Sequence, residues 1–355
     1  MGHLTSGLAM RPGSEGGIPH LSAGARAAAF AFLACACAWG ASPAPTPLRA
    51  EREVMGVTMA VELRDPEPRR ARAAAERALA AAERTARLLL AQPEGSEVRL
   101  LNDVPSRVAI EVSPQTADAL RRALAIAAET DGAFDPTSPP LARLWGLESG
   151  EARVPRGFEI QMALRQVDWS DVEVDEERPV VQRLSRRTRI DLDGFAVGAC
   201  ADAAATALRE AGVPAAHASA GGAHVFYGGS DRRPWRLAVG AESGGPVAEL
   251  ALQRGAWAEA RPRRVLRAAD GTAVHDLLDP REGRPASGAR WVAVTAGDAA
   301  TAAAFARATF VMGADGPAFL ERRESLGGLG VLATGERWAT EGLDVRWEKG
   351  GSSSR

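Results

Sequence analysis

The sequence predicts an α+β domain in which helices and short antiparallel strands dominate different parts of the chain, and three observations predict it. Apolar residues recur at helical spacing early in the chain, as at Ala117, Leu120, Leu124 and Ala127. From His217 onward the chain breaks into short segments of strand length, bounded by turn residues, that fit antiparallel pairing. Between these regions, an apolar strand over 189–192 passes through a polar Asp193-Gly194 turn into a helix over 196–211, closed by Gly212 and followed by Gly221-Gly222. The start of such a helix leaves N–H groups free and favours anions. Taken alone, the stretch is also an ordinary strand, turn and capped helix.

The remaining elements follow in order. With 355 residues, 25% of them charged, and a formal net charge of −2, the chain is long enough for a sizeable core. It lacks the basic excess that nucleic-acid binding requires. Residues 1–49 read as a leader and linker. Arg11 and Arg26 precede an apolar run over 27–39, and small residues at Ala38, Ala41 and Ala44 follow, a secretory pattern too short to span a membrane. A disordered alanine-rich tail is the other reading of this segment. Cys35 and Cys37 end the apolar run, so the expected location is exported: periplasmic, or membrane-anchored by a lipidated cysteine. Without the leader only Cys200 remains, and no internal disulfide can form.

A single domain is expected over 50–347. Residues 53–63 alternate as one strand. Asp65-Pro66 opens a long helix to residue 91, which Pro93-Glu94-Gly95 breaks. Ser113-Pro114 opens a second helix that stops at Gly132, and the loop Ala133-Phe134-Asp135-Pro136 follows. A third helix is expected over 158–169, with strands at 172–174 and 180–181. Further strands are expected at 217–220, 224–227, 235–239, 247–252, 256–258 and 264–267. Asp279-Pro280 makes a turn, 291–295 a strand, 299–312 a helix closed by Gly313, and 317–323 the last helix. Residues 348–355 read as a disordered tail.

Several of these segments, in this order, resemble the motifs of the FAD:protein FMN transferases, the ApbE-type flavin transferases. Asp191, Leu192, Gly198, Asp202, Gly221 and Gly222 match the family's central signature, with Val197 in place of its charged residue. Ser96, Glu97 and Asn102 match a second motif, and Thr130 to Thr137 a third, in which Ala133, Phe134 and Asp135 line the FAD site. His275-Asp276-Leu277-Leu278-Asp279-Pro280 matches a fourth, with Asp276 where the family carries histidine. The resemblance implies a mixed, largely antiparallel sheet flanked by helices, and a flavin site formed by Met55, Ala133, Phe134, Asp135, Asp191, Val197, Leu278 and Arg307. Phe134 would give a flat ring an apolar face, and Asp135 an acceptor for ring or ribose donors. It implies catalytic roles for His275 and Asp276, and a metal contact through the Gly194 carbonyl.

The implied chemistry binds FAD, attacks it with a Thr or Ser hydroxyl of a target flavoprotein in a membrane-associated redox system, and uses magnesium on the pyrophosphate. The sequence departs from the family where the metal is held. The aspartate and threonine expected four residues apart on the last long helix are Ala303 and Arg307, and Ala258-Glu259-Ala260 replaces a Thr-Ser-Gly. Alanine offers no ligand atom and arginine repels a divalent cation, so the alternative expectation is an FAD-binding protein without transferase activity.

Overall fold

The computed structural model describes residues 47–54, 56–91, 94–240 and 247–348. The chain begins with a hairpin, β1 (Leu48–Val54) and β2 (Val57–Leu63), then α1 (Pro68–Leu89), α2 (Glu97–Asp103), β3 (Ile110–Glu111) and α3 (Pro114–Glu129). Next come α4 (Pro139–Leu144), α5 (Gly157–Leu164), β4 (Val172–Val174), β5 (Val180–Arg183) and α6 (Asp193–Glu210). The strand-rich part holds β6 (Ala216–Ala220), β7 (Ala223–Tyr227), β8 (Trp235–Val239), β9 (Ala248–Leu252), β10 (Gly255–Ala260), β11 (Val265–Arg267), β12 (Ala273–His275), β13 (Leu278–Asp279), β14 (Arg284–Pro285) and β15 (Ala289–Ala296). The last elements are α7 (Ala299–Met312), α8 (Gly316–Glu321), β16 (Gly327–Leu332), β17 (Arg337–Ala339) and β18 (Val345–Trp347).

The fold is α+β, with antiparallel sheets flanked by helices. Eight strands form the main sheet in the order β1-β2-β6-β7-β10-β15-β16-β17, every neighbour antiparallel. Side chains alternate across a strand, and the two faces differ in size. Ala216, Ala218 and Ala220 of β6, with Ala256, Ala258 and Ala260 of β10, share one core with α1, α6 and α7. Alanine on both surfaces lets the helices lie close to the sheet. The opposite face carries Phe226, Trp257 and Trp291, which pack with Trp235, Val239 and Leu250 of the small sheet β18-β9-β8. A satellite cluster around Trp145, Ile160 and Val274 supports the β12–β14 region, where the Trp145 indole donates to the Gly283 carbonyl at 2.8 Å.

Several sequence expectations are corrected. Residues 53–63 are the end of β1, a turn and β2 of a hairpin, since Gly56 reverses the chain at φ +76°. Residues 189–192 are no strand: the segment pairs with no sheet, and Asn102 bonds to the Ile190 backbone instead. Asp193 and Gly194 are the first turn of α6, so that helix begins three residues early. The helix expected over 158–169 stops at Leu164, and a separate 3₁₀ turn spans Trp169–Asp171. Ser96 starts α2 by accepting from the Arg99 amide at 3.3 Å. Most of the expected leader, with Cys35 and Cys37, lies outside the described residues, as do Met55 and the tail beyond Glu348.

Candidate functional site

Five loops and two helices meet at the candidate site. The first turn of α6 and the middle of α7 form its floor, because α6 and α7 cross in contact at Gly198. A Cβ on Gly198 would overlap the Ala299 carbonyl and Ala300 Cα. Asp202, one turn further along α6, accepts from the Ala299 amide at 2.8 Å and the Ala300 amide at 3.0 Å. With Asp298 accepting from Thr301 N at 2.9 Å, these carboxylates satisfy the open N–H groups of α7 and fix where Ala303 and Arg307 stand.

Two clefts adjoin on this floor. The first, of about 170 Å³, is lined by Val197, Gly221, Gly222, Ala258, Glu259, Arg261, Arg263, Asp276 and Ala303. The second, of about 60 Å³, is lined by Ala133, Phe134, Asp135, Asp191, Leu278 and Pro280. Asp193, Gly194, Leu277 and Arg307 line both. The partition is Arg307, whose arm lies across Gly194: a Cβ there would sit 2.7 Å from Arg307 Cδ and 3.3 Å from Phe134 Cε2.

The structure therefore brings together Ala133, Phe134, Asp135, Asp191, Gly194, Val197, Asp276, Leu278 and Arg307. Met55 lies outside the described residues. His275 lines neither cleft: its Nε2 is 3.0 Å from the Ala286 carbonyl, and Nδ1 accepts from the Leu277 amide at 3.3 Å. Burial holds its pKa below the usual histidine value. Asp276 accepts from the Arg263 amide at 3.1 Å. Asp135 is buried and accepts from Thr137 N at 2.7 Å and Thr137 Oγ1 at 2.6 Å, which shapes the loop behind Phe134. Burial raises its pKa despite those bonds. Asp191 accepts from the Asp193 amide at 2.6 Å and is tied to the loop by its own amide, which donates to the Pro136 carbonyl at 2.7 Å.

Asp193 is pushed up to about 7, first by partial loss of water where it lines the clefts and then by the like charge of Asp191. It retains open surface, so solvent screens part of that effect. Two further lining residues escaped the sequence reading, Arg261 and Arg263, and they stand beside Glu259 of the Ala258-Glu259-Ala260 segment. Glu259 accepts from the Trp291 indole at 3.0 Å and pairs with Arg261 at 3.4 Å. Arg263 reaches over the Gly221-Gly222 turn and donates to the Gly221 carbonyl. The run Arg261-Pro262-Arg263-Arg264 is visible as a basic stretch, but only the pairing of β10 with β7 and β15 directs it at the cleft.

A divalent cation does not fit these residues. Ala303 carries no ligand atom, the Arg307 arm covers Gly194, and among the described residues no three His, Cys, Asp or Glu side chains gather to hold a metal. The apolar faces of Phe134, Leu277 and Leu278 beside a group of arginines do suit a flat ring bearing phosphates.

Comparison with known proteins gives a consistent result. The chain is 28% identical over 239 residues to the FAD:protein FMN transferase of Salmonella typhimurium strain LT2, covering 64% of this chain and 68% of that protein. It is 26% identical over 262 residues to the Escherichia coli K12 enzyme of the same name, covering 71% and 75%. The crystal structure of the ApbE protein of Thermotoga maritima superimposes with a TM-score of 0.76 at 29% identity, covering 83% of this chain and 97% of that one. The flavinyl transferase ApbE of Pseudomonas stutzeri shares the fold, with a TM-score of 0.73 at 21% identity, over 83% and 95%. Since the ApbE family model also matches residues 55–329, which hold both clefts and every described strand between β2 and β15, the chain belongs to the ApbE family.

Proposed function

We propose that the chain takes FAD as a substrate across the two clefts and moves FMN to a threonine or serine hydroxyl of a target redox flavoprotein. The observation that carries this reading is the meeting of Phe134, Asp135, Asp191, Leu278 and Arg307, drawn from separate parts of the sequence, around one floor. In the step proposed, the hydroxyl oxygen bonds to the FMN phosphorus while the bond to the bridging oxygen breaks. AMP leaves with that oxygen, and the hydroxyl proton passes to Asp276. Phe134 and Leu278 bind and orient the ring, and Arg307 holds phosphate oxygens through paired hydrogen bonds. No metal enters, because the residues present do not hold one.

The target would belong to a membrane-associated redox system and meet this protein outside the cytoplasm. Among the described residues no helix is long and apolar enough to cross a membrane. Export rests on the leader alone, and a native mass lacking the first ~40 residues is its check.

A second reading, FAD binding without transfer, is favoured by Ala303 and by the Arg307 arm over Gly194. A guanidinium donates hydrogen bonds but cannot follow charge onto a leaving group as a metal can. Incubation with FAD and an acceptor domain separates the two. Covalent flavin fluorescence on a denaturing gel, with release of AMP, supports transfer. Binding without either product supports the second reading. If FAD fails to raise the melting temperature, both are wrong, since a ligand that binds only the folded state must raise it.

A further inference from the structure

We infer that Arg261, Arg263 and Arg307 form a metal-independent site for a pyrophosphate group, occupying the ground that a divalent cation would hold. The inference rests on the FAD reading for its natural ligand, but its chemistry is that of the pyrophosphate alone.

The three guanidiniums come from two separate elements, the chain after β10 and the middle of α7, and all line the first cleft. Two neighbouring acids hold this cluster in place. Glu259 is shared between the Trp291 indole and Arg261, and Asp276 accepts from the Arg263 backbone. Arg307 makes no hydrogen bond or ion pair with another described residue, and its charge acts on Asp193 only at longer range. A half-buried guanidinium so placed has donors to spare for an incoming anion.

The glycines at 221 and 222 supply the second feature. Both have positive φ, and a Cβ on Gly222 would overlap Arg263 Nη2. The bare turn is what admits the Arg263 arm. Ala303, one turn before Arg307, leaves only a methyl group at the cleft wall. An acid there would pair with Arg307 at i, i+4 and take up its charge. Like charges crowd here. Arg263 is held below the ordinary arginine value, first by loss of water, with Glu259 and Asp276 opposing and Arg307 and Arg261 adding repulsion. A doubly charged anion relieves that repulsion, and guanidinium presents paired donors to phosphate oxygens.

The expected sign of the magnesium effect separates this site from a metal site. Magnesium bound to a pyrophosphate neutralises the charge that the arginines would meet, so it leaves affinity unchanged or weakens it. The test uses the full chain, with calorimetric titration of FAD and, separately, of inorganic pyrophosphate, each in chelator and in millimolar magnesium. Both ligands are expected to bind in chelator, with magnesium giving no gain. Arg263→Ala and Arg307→Ala are each expected to weaken both ligands by about tenfold or more, as loss of charge-assisted hydrogen bonds requires. Arg307→Lys keeps the fold and the charge but not the paired donors, and is expected to lie between. The double change Ala303→Asp with Arg307→Thr should make binding depend on magnesium. Magnesium tightening either ligand by about tenfold, or arginine variants that bind like the parent, overturns the inference. Pyrophosphate bound through the arginines with no FAD binding leaves the inference standing and removes the flavin reading. FAD bound only with magnesium does the reverse.

Discussion

Asn102 behaves as a peptide group supplied by a side chain. Its Oδ1 accepts from the Ile190 amide and its Nδ2 donates to the Ile190 carbonyl, both at 2.8 Å. Ile190 is buried and has no strand neighbour, so its two backbone groups would otherwise be unpaired away from water. Arg183 adds a second clamp nearby, donating to the Leu101 carbonyl at 2.7 Å and the Thr188 carbonyl at 2.8 Å. These bonds place Asp191 at the cleft. Asn102→Ala is expected to cost about 2–4 kcal/mol, because two buried groups lose their partners at once, and to weaken FAD binding. Asn102→Asp keeps the acceptor but turns a carboxylate oxygen toward the Ile190 carbonyl, and is expected to destabilise as well. Urea denaturation with FAD titration checks both, and a parent-like Asn102→Ala would show that the clamp is dispensable. The sequence resemblance marked Asn102 but not its task, which depends on a residue 88 positions away. Residues within one loop, such as Ala133-Phe134-Asp135, were legible because the motif is continuous. Arg261 and Arg263 were not, because no local pattern tells which way a loop arginine turns.

At the scale of elements, the crossing of α6 and α7 sets the site. The glycine at 198 and the acid at 202 act together: one lets the helices touch, and the other caps α7 from α6. Gly198→Ala is expected to destabilise the domain by about 2–4 kcal/mol, since the overlapped atoms are backbone and cannot turn aside. It should also displace Arg307 from Gly194 and lower pyrophosphate affinity. A variant with parent stability in thermal melts would mean that the helices can separate freely. Helices were the most legible elements, with α7 expected at the bounds it has, because capping and spacing are local. The strands β16 to β18 were missed. Gly327 to Gly330 reads as a breaker, yet β16 needs those glycines: a Cβ on Gly330 would sit 2.7 Å from the Trp291 carbonyl oxygen and 3.0 Å from the Trp338 ring. The expected strand over 189–192 failed for the opposite reason. Its local pattern suits a sheet, but a side chain took the sheet's role.

Across the whole molecule, two sets of groups titrate against each other. His217 and His224 lie between the main sheet and β18-β9-β8, with nitrogens 3.0 Å apart in a stack with Phe226 and Trp257. Burial depresses them from 6.5 to about 4 and about 3, with Arg49 adding to the first and His217 and Arg263 to the second. Their native pKa values lie below the unfolded value, so the unfolded chain binds more protons. Stability from this pair is complete above pH 6.5 and falls as pH drops toward 4. Asp202 works in the other direction. Burial raises it from 3.8 to about 6, so its contribution is largest below pH 3.8 and is lost as pH rises through 6. Asp193 has the same sign, reduced by its open surface. The two sets act over overlapping windows, and the histidine pair outweighs the acids, because two depressed imidazoles face one raised carboxyl and a second that solvent screens. The parent is therefore expected to lose stability as pH falls from 6.5 to 4, less steeply than the histidines alone would dictate. Replacing both histidines by phenylalanine, which preserves the stack, should leave the acids unopposed, so that the melting temperature rises as pH falls from 7 toward 4. Asp202→Asn should do the reverse and steepen the loss on acidification. Melting curves across that range decide it: a double histidine variant that loses stability in acid as the parent does would show that the half-buried pair does not set the profile.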